Sequence, residues 1–202
     1  MSKTLDFIFD FGSPNAYLAY KALPPILERS GAGLNIIPCL LGGIFKATGN
    51  QAPMLAFHGI KGKLEYDRLE IERFIQRHQL DKFSFNPHFP VNTLMLMRGA
   101  VAAEADGRLH DYVEAGLAAM WEQGLKMDDP DTFVAAMTGA GLDGEALLAR
   151  TSDPEIKAKL AANTAAAVER GCFGIPTFYV GGEMFFGKER LGQIEDALAK
   201  LD

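Results

Sequence analysis

Strand-forming sequence occurs only near the two ends of this chain, and that placement constrains the fold more than any other feature. Residues 5–11 read LDFIFDF, an aromatic-rich alternation of apolar and polar positions, the pattern of a half-buried strand. Residues 34–41 form a second such run, and 175–180 (IPTFYV) and 183–186 (EMFF) a third and a fourth. From residue 42 to about residue 141 nothing reads as a strand. A strand must pair with a neighbour to satisfy its backbone. The pattern reads as one sheet split between the two ends of the chain, with the long segment between them an insertion of helices packed against it.

The junctions supply the order. Gly12-Ser13-Pro14 ends the first strand and opens a helix, since Ser is a preferred N-cap and Pro a preferred first helical residue. Pro24-Pro25 ends that helix or forces a restart, and Gly31 and Gly33 lead into the second strand. Strand, helix, strand makes a βαβ unit with a right-handed crossover and parallel strands. At the other end Gly181-Gly182 is a two-residue hairpin turn, and a last helix over 189–201 closes the chain. In the middle, 63–78 carries Leu64, Ile71, Phe74, Ile75 and His78 at helical spacing, and 91–105 is apolar nearly all round, which predicts a buried helix. Segments 109–122 and 131–138 continue the pattern, the second behind an Asp129-Pro130 start signal. Asp153-Pro154 opens another helix that runs to Gly171, a suitable residue just past its end. The order is βαβ, about five helices, then αββα. Residues 1–41 and 155–202 are expected to form the sheet domain, with 42–154 as an inserted helical domain. Trp121 and Met95 to Met97 fall where helical core or a domain interface is expected.

Composition mainly excludes. The 202 residues are 48% hydrophobic and 23% charged, which fits a globular protein and neither a disordered nor a fibrous one. A net charge of −6 without a basic patch argues against nucleic acid. Arg98 interrupts the longest apolar stretch before it can span a bilayer, and Asp6 and Asp10 occupy the place of a signal-peptide core. The expectation is a cytoplasmic protein that binds neither nucleic acid nor membrane. No histidine pair has metal-ligand spacing, so no metal is expected. Cys39 and Cys172 form no disulfide framework and no CxxC.

The position with most chemistry is Ser13. At a helix N-terminus the unpaired N–H groups and the helix dipole favour an anion, and the hydroxyl adds a donor. A thiolate held there would have its pKa lowered, with Ser13 tuning it and attacking nothing; a plain N-cap is the alternative. Dithiol exchange is excluded at this turn, because Ser13-Pro14-Asn15-Ala16 contains neither sulfur that it needs.

Three segments carry a family resemblance. FDFGSPNAYLA (9–19) resembles the first active-site segment of kappa-class glutathione transferases and of 2-hydroxychromene-2-carboxylate isomerases. FGIPTFYV (173–180) is similar to their cis-proline strand, and FFGKER (185–190) to the segment opening their last helix. SPNAYLA and GIFKATGN (43–50) lean toward the isomerases. These families share the thioredoxin-like fold of the DsbA oxidoreductases, an α/β domain with a large inserted all-helical domain. The resemblance implies glutathione as cofactor, an aromatic carboxylate as small-molecule substrate, and a homodimer. It implies that Ser13 faces the glutathione sulfur and that a cis Ile175-Pro176 bond turns the Ile175 backbone outward to the cysteinyl residue. Phe186, Gly187, Lys188 and Glu189 would take the γ-glutamyl end, Glu189 facing its ammonium. Where relatives commonly show Asn-Asp-Arg, this chain has Lys188-Glu189-Arg190, so the charge survives at Glu189 and Lys188 departs. By the same resemblance Lys46 meets the substrate carboxylate and Phe89 and Asn92 line its pocket. A surface lysine is the alternative for Lys46. Two other functions stay open: a kappa-class-like transferase or peroxidase, and a non-enzymatic thioredoxin-like module binding extended peptides.

Overall fold

The computed structural model describes residues 3–201. Four strands, β1 (Thr4–Phe9), β2 (Gly33–Pro38), β3 (Thr177–Val180) and β4 (Glu183–Phe186), form one sheet in the order β2-β1-β3-β4. β1 runs parallel to β2 and antiparallel to β3, and β3 and β4 form the hairpin whose turn Gly181 and Gly182 make at positive φ. The two ends of the chain thus meet at the centre of the sheet, with Phe7 opposite Ile36 on one side and Phe178 on the other. Helices α1 (Pro14–Ala22) and α2 (Pro24–Ser30) make the crossover, Pro24 restarting the helix. Between the sheet halves lie α3 (Leu41–Thr48), α4 (Pro53–Ala56), α5 (Lys63–His78), α6 (Leu94–Ala105), α7 (Leu109–Trp121), α8 (Pro130–Gly139), α9 (Gly144–Arg150) and α10 (Pro154–Glu169). After β4 a 3-10 turn (Lys188–Arg190) leads into α11 (Leu191–Ala199). No helix among the described residues is long and apolar enough to cross a membrane.

An aromatic ladder joins the sheet to the helical block. Phe7 stacks on Phe178 at 4.7 Å, Phe9 meets Phe11 edge-on at 4.8 Å, and Phe11 meets Tyr112 of α7 at 5.9 Å. All are buried, each contributing about 1.5–3 kcal/mol of apolar burial. On the opposite face Arg170 lies 3.8 Å over the Tyr179 ring and reaches the Asp6 carboxylate. The ladder is tight at α7: a methyl group at Gly116 would lie 2.4 Å from Cε1 of Phe11. Gly116→Ala is therefore expected to destabilise the protein by about 1–3 kcal/mol in urea unfolding, outweighing the roughly 1 kcal/mol that alanine gains in helix propensity. A stabilised variant would mean that the Phe11 ring yields easily.

The structure shortens three expected strands, for local reasons. β1 stops at Phe9 and β2 at Pro38 because the Asp10 carboxylate takes the N–H groups of Gly12 and Leu41 out of the sheet ladder. β3 starts at Thr177 since Pro176 has no N–H to give. α6 begins at Leu94, whose N–H the Asn92 side chain accepts, and the last helix begins at Leu191, behind the 3-10 turn. Among the described residues seven helices, α3 to α9, lie between β2 and α10 where about five are expected, because α3, α4 and α9 are too short to show a period.

Candidate active site around Ser13

Ser13 has the extended backbone of an N-cap and its Oγ accepts from the Ala16 N–H at 3.2 Å. The same hydroxyl donates to the carbonyl of Ile175 at 2.9 Å, across 162 residues of sequence. Ser13 is buried, and the Ile175-Pro176 bond is cis. The Pro176 carbonyl in turn accepts from the Gly187 N–H at 3.0 Å. Ser13, Ile175, Pro176 and Gly187 are thereby brought into one connected set. Two details modify the sequence picture. The Ile175 carbonyl is partnered by Ser13, leaving one lone pair for a ligand. The first turn of α1 also offers fewer free donors than a generic N-terminus: Pro14 has none, Ala16 is bonded to Ser13, and Asn15 supplies the remaining N–H.

Around the hairpin, Gly187 sits at φ 94°, a conformation that favours glycine, and Phe186 is exposed and packs on Phe173 at 4.5 Å. Lys188 is only 3% exposed; its ammonium lies 5.3 Å from the centre of the Phe74 ring on α5 and pairs with Glu189. The Glu189 carboxylate is half exposed and already carries one cation. The unusual lysine thus links the last helix to the helical block.

None of the expected substrate-side residues, Lys46, Phe89 and Asn92, is hydrogen-bonded to the Ser13 side chain. Lys46 lies on α3, exposed and without an ion pair among the described residues. α3 itself is anchored at both ends, by Leu41 N–H to Asp10 at 2.7 Å and by the Asn50 amide to the Phe173 carbonyl at 2.7 Å. Phe89, in a second cis bond to Pro90, lies 5.9 Å from the Trp121 ring, and the Trp121 indole donates to the Phe11 carbonyl at 2.8 Å. Asn92 spends its side-chain oxygen on the first turn of α6. His88 is exposed, and its N–H goes to Asn86.

Sequence reasoning missed Asp10, Asn86 and Asn50. Asp10 is fully buried, and burial raises its carboxyl above the ordinary range while the N–H groups of Leu41 and Gly12 and the Thr93 hydroxyl pull it down. The available signal was a carboxylate inside an otherwise apolar run, which survives only when bonded. Buried Asn86 holds its loop through the carbonyls of Met120 and Leu125. Cys39 and Cys172 are both buried and free; burial pushes the Cys39 thiol up, and Cys172 donates to the Gly174 carbonyl.

Comparison with known proteins decides the lineage, since residues 4–199 match the DSBA-like thioredoxin domain family. The chain belongs to that family. It is 28% identical to a 2-hydroxychromene-2-carboxylate isomerase of Pseudomonas putida over 199 residues, covering 98% of this chain and 95% of the relative. It is 29% identical over 202 residues to glutathione S-transferase kappa 1 of Rattus norvegicus, covering 94% and 88%. A solved 2-hydroxychromene-2-carboxylate isomerase superposes with a TM-score of 0.84 at 28% identity, over 98% of this chain and 95% of the other. The resemblance drawn from the three motifs is thus borne out, and this DSBA-like member lacks both thiols at the turn where dithiol exchange would occur.

The donor set suits a thiol-bearing peptide. The Asn15 side-chain oxygen, two residues from Ser13, is buried and has no hydrogen-bond partner among the described residues. The Ser13 hydroxyl can rotate from Ile175 toward a sulfur, and the dipole of α1 favours the anionic form.

Proposed function

We propose that the protein is a glutathione-dependent isomerase acting on an unsaturated aromatic carboxylate of the 2-hydroxychromene-2-carboxylate type. The observation that carries this reading is the Ser13 hydroxyl at the start of α1, bonded to the Ile175 carbonyl beside Pro176, in a turn without thiols. Bound glutathione would supply a thiolate that adds reversibly to a conjugated carbon and is regenerated. Ser13 would donate to the sulfur, with the Asn15 N–H and the α1 dipole favouring its charge. Ile175 would pair with the peptide backbone through its remaining capacity, and Phe186, Gly187, Lys188 and Glu189 would bound the γ-glutamyl end. Because Lys188 already occupies Glu189, the ammonium of that end would share the carboxylate. Lys46 would meet the substrate carboxylate, a local cation that a net-acidic protein needs for an anionic ligand. Phe89 would face the aromatic ring and Asn92 would offer its amide NH2. The resemblance also brings a cytoplasmic homodimer into this reading.

The test is isomerisation of 2-hydroxychromene-2-carboxylate with and without glutathione, by wild type and by Lys46→Met. The expected result is glutathione-dependent turnover, with KM raised about tenfold or more in the variant, the loss of roughly one charge-assisted contact, while glutathione affinity barely moves. Turnover only of neutral electrophiles would hand the protein to the kappa-class transferase reading, which the 29% identity to the rat enzyme supports. No heat of glutathione binding at millimolar ligand by calorimetry would remove both and leave the peptide-binding module.

A further inference from the structure

Asp10 stands three residues before Ser13, fully buried, and the function proposed above gives it no role. Its three hydrogen bonds reach three separate segments. Oδ1 accepts from the Gly12 N–H at 2.8 Å, in the turn that presents Ser13. Oδ2 accepts from the Leu41 N–H at 2.7 Å, in the first turn of α3. The Thr93 hydroxyl, between the cis Phe89-Pro90 bond and α6, adds a third donor. The N-cap of α3, Leu40, has no side chain able to cap, so Asp10, the residue just after β1, supplies that cap. A buried carboxylate is costly to keep unless such bonds hold it in one geometry, and the two backbone bonds at 2.8 and 2.7 Å, with the Thr93 hydroxyl beside them, give that geometry. The far end of α3 is held as well, by Asn50 on the Phe173 carbonyl. The helix carrying Lys46 is therefore strung between the turn before Ser13 and the loop before Pro176. A mere core stabiliser would need none of these destinations.

We propose that Asp10 is a positioning residue, setting the separation of the Lys46 ammonium from the Ser13 hydroxyl and so selecting substrates whose carboxylate lies at a matching distance from the reacting carbon. The inference rests on the function proposed above, and a double-mutant cycle separates the two. Asp10→Asn keeps the volume and one acceptor but turns an amide NH2 toward one of the two backbone N–H groups, cutting one tie without opening a cavity. Wild type, Asp10→Asn, Lys46→Met and the double variant are compared in kcat/KM for 2-hydroxychromene-2-carboxylate. Their calorimetric affinity for cinnamate, a non-reacting aromatic carboxylate, is measured without glutathione. The Lys46→Met penalty, about tenfold or more in wild type, is expected to fall below about threefold in the Asp10→Asn background on both readouts, because coupled residues are non-additive. An undiminished penalty in that background overturns the positioning role while leaving the proposed function standing. No Lys46→Met penalty in the wild-type background refutes the Lys46 assignment, and the positioning role with it. Should Asp10→Asn fail to fold, Thr93→Val removes the hydroxyl donor from the same carboxylate. The penalty is then expected to shrink by about twofold or more, and an unchanged penalty there overturns the proposal equally.

Discussion

Replacing Ser13 with alanine is expected to raise the thiol pKa of bound glutathione by about one unit and to cut turnover about tenfold at pH values below that pKa, since one unit is about 1.36 kcal/mol. The size follows from two opposing bonds. A hydrogen bond to a charged sulfur is worth about 1.5–3 kcal/mol, but the hydroxyl must first leave the Ile175 carbonyl, a neutral bond worth about 0.5–1.5 kcal/mol. The difference favours the lower end of a one-to-two-unit shift. The sign is set by the thiolate as the reactive form. Removing its donor raises the pKa, so activity is lost on the acid side and recovers as pH rises past the new value. Ultraviolet titration of the bound thiolate measures the shift directly, and the pH profile of kcat measures its consequence. Loss of the N-cap bond to Ala16 should separately cost about 0.5–2 kcal/mol of stability. An unmoved titration with that stability loss present would reduce Ser13 to a cap and leave the thiolate to the first turn of α1.

What the sequence made legible follows the range of the forces involved. That strands from the two chain ends share one sheet was readable because alternation in 5–11 and the hairpin glycines are local signals, whereas the order β2-β1-β3-β4 depends on pairing between distant segments. Ser13 as a cap and Gly171 after α10 were readable for the same reason, since caps depend on neighbours a few residues away. Asp10 was not, because its meaning lies in Leu41 and Thr93, far along the chain, and a lone carboxylate at a strand end looks like any surface acid. Lys188 was read as a change in ligand chemistry, whereas its buried ammonium over Phe74 is a contact between segments that no spacing rule reveals. The second cis bond, Phe89-Pro90, escaped because nothing in FNPHFPVN distinguishes Pro90 from Pro87. Helices α3, α4 and α9 have eight, four and seven residues, too few turns for apolar periodicity to stand out.

Trp121→Ala should be the most destabilising substitution in the helical block, by about 3–5 kcal/mol. Trp121 is fully buried at the end of α7, stacked 5.9 Å from Phe83 and packed against Phe85 and Phe89. Its indole N–H donates to the carbonyl of Phe11, two residues before Ser13. Truncation removes the ring from that cluster and leaves a buried carbonyl unsatisfied, the second worth about 1–3 kcal/mol by itself. Trp121→Phe separates the two effects, since it keeps most of the aromatic area and deletes only the donor and part of the volume. The expected cost of that variant is about 1–3 kcal/mol in urea unfolding, with the shift in midpoint accompanied by weaker glutathione binding, because the freed Phe11 carbonyl belongs to the turn that presents Ser13. A loss within about 0.5 kcal/mol, the range of an ordinary surface substitution, would show that Trp121 contributes area alone. A full loss in stability with unchanged glutathione affinity would show that the turn is held by Asp10 and Thr93 without help from α7.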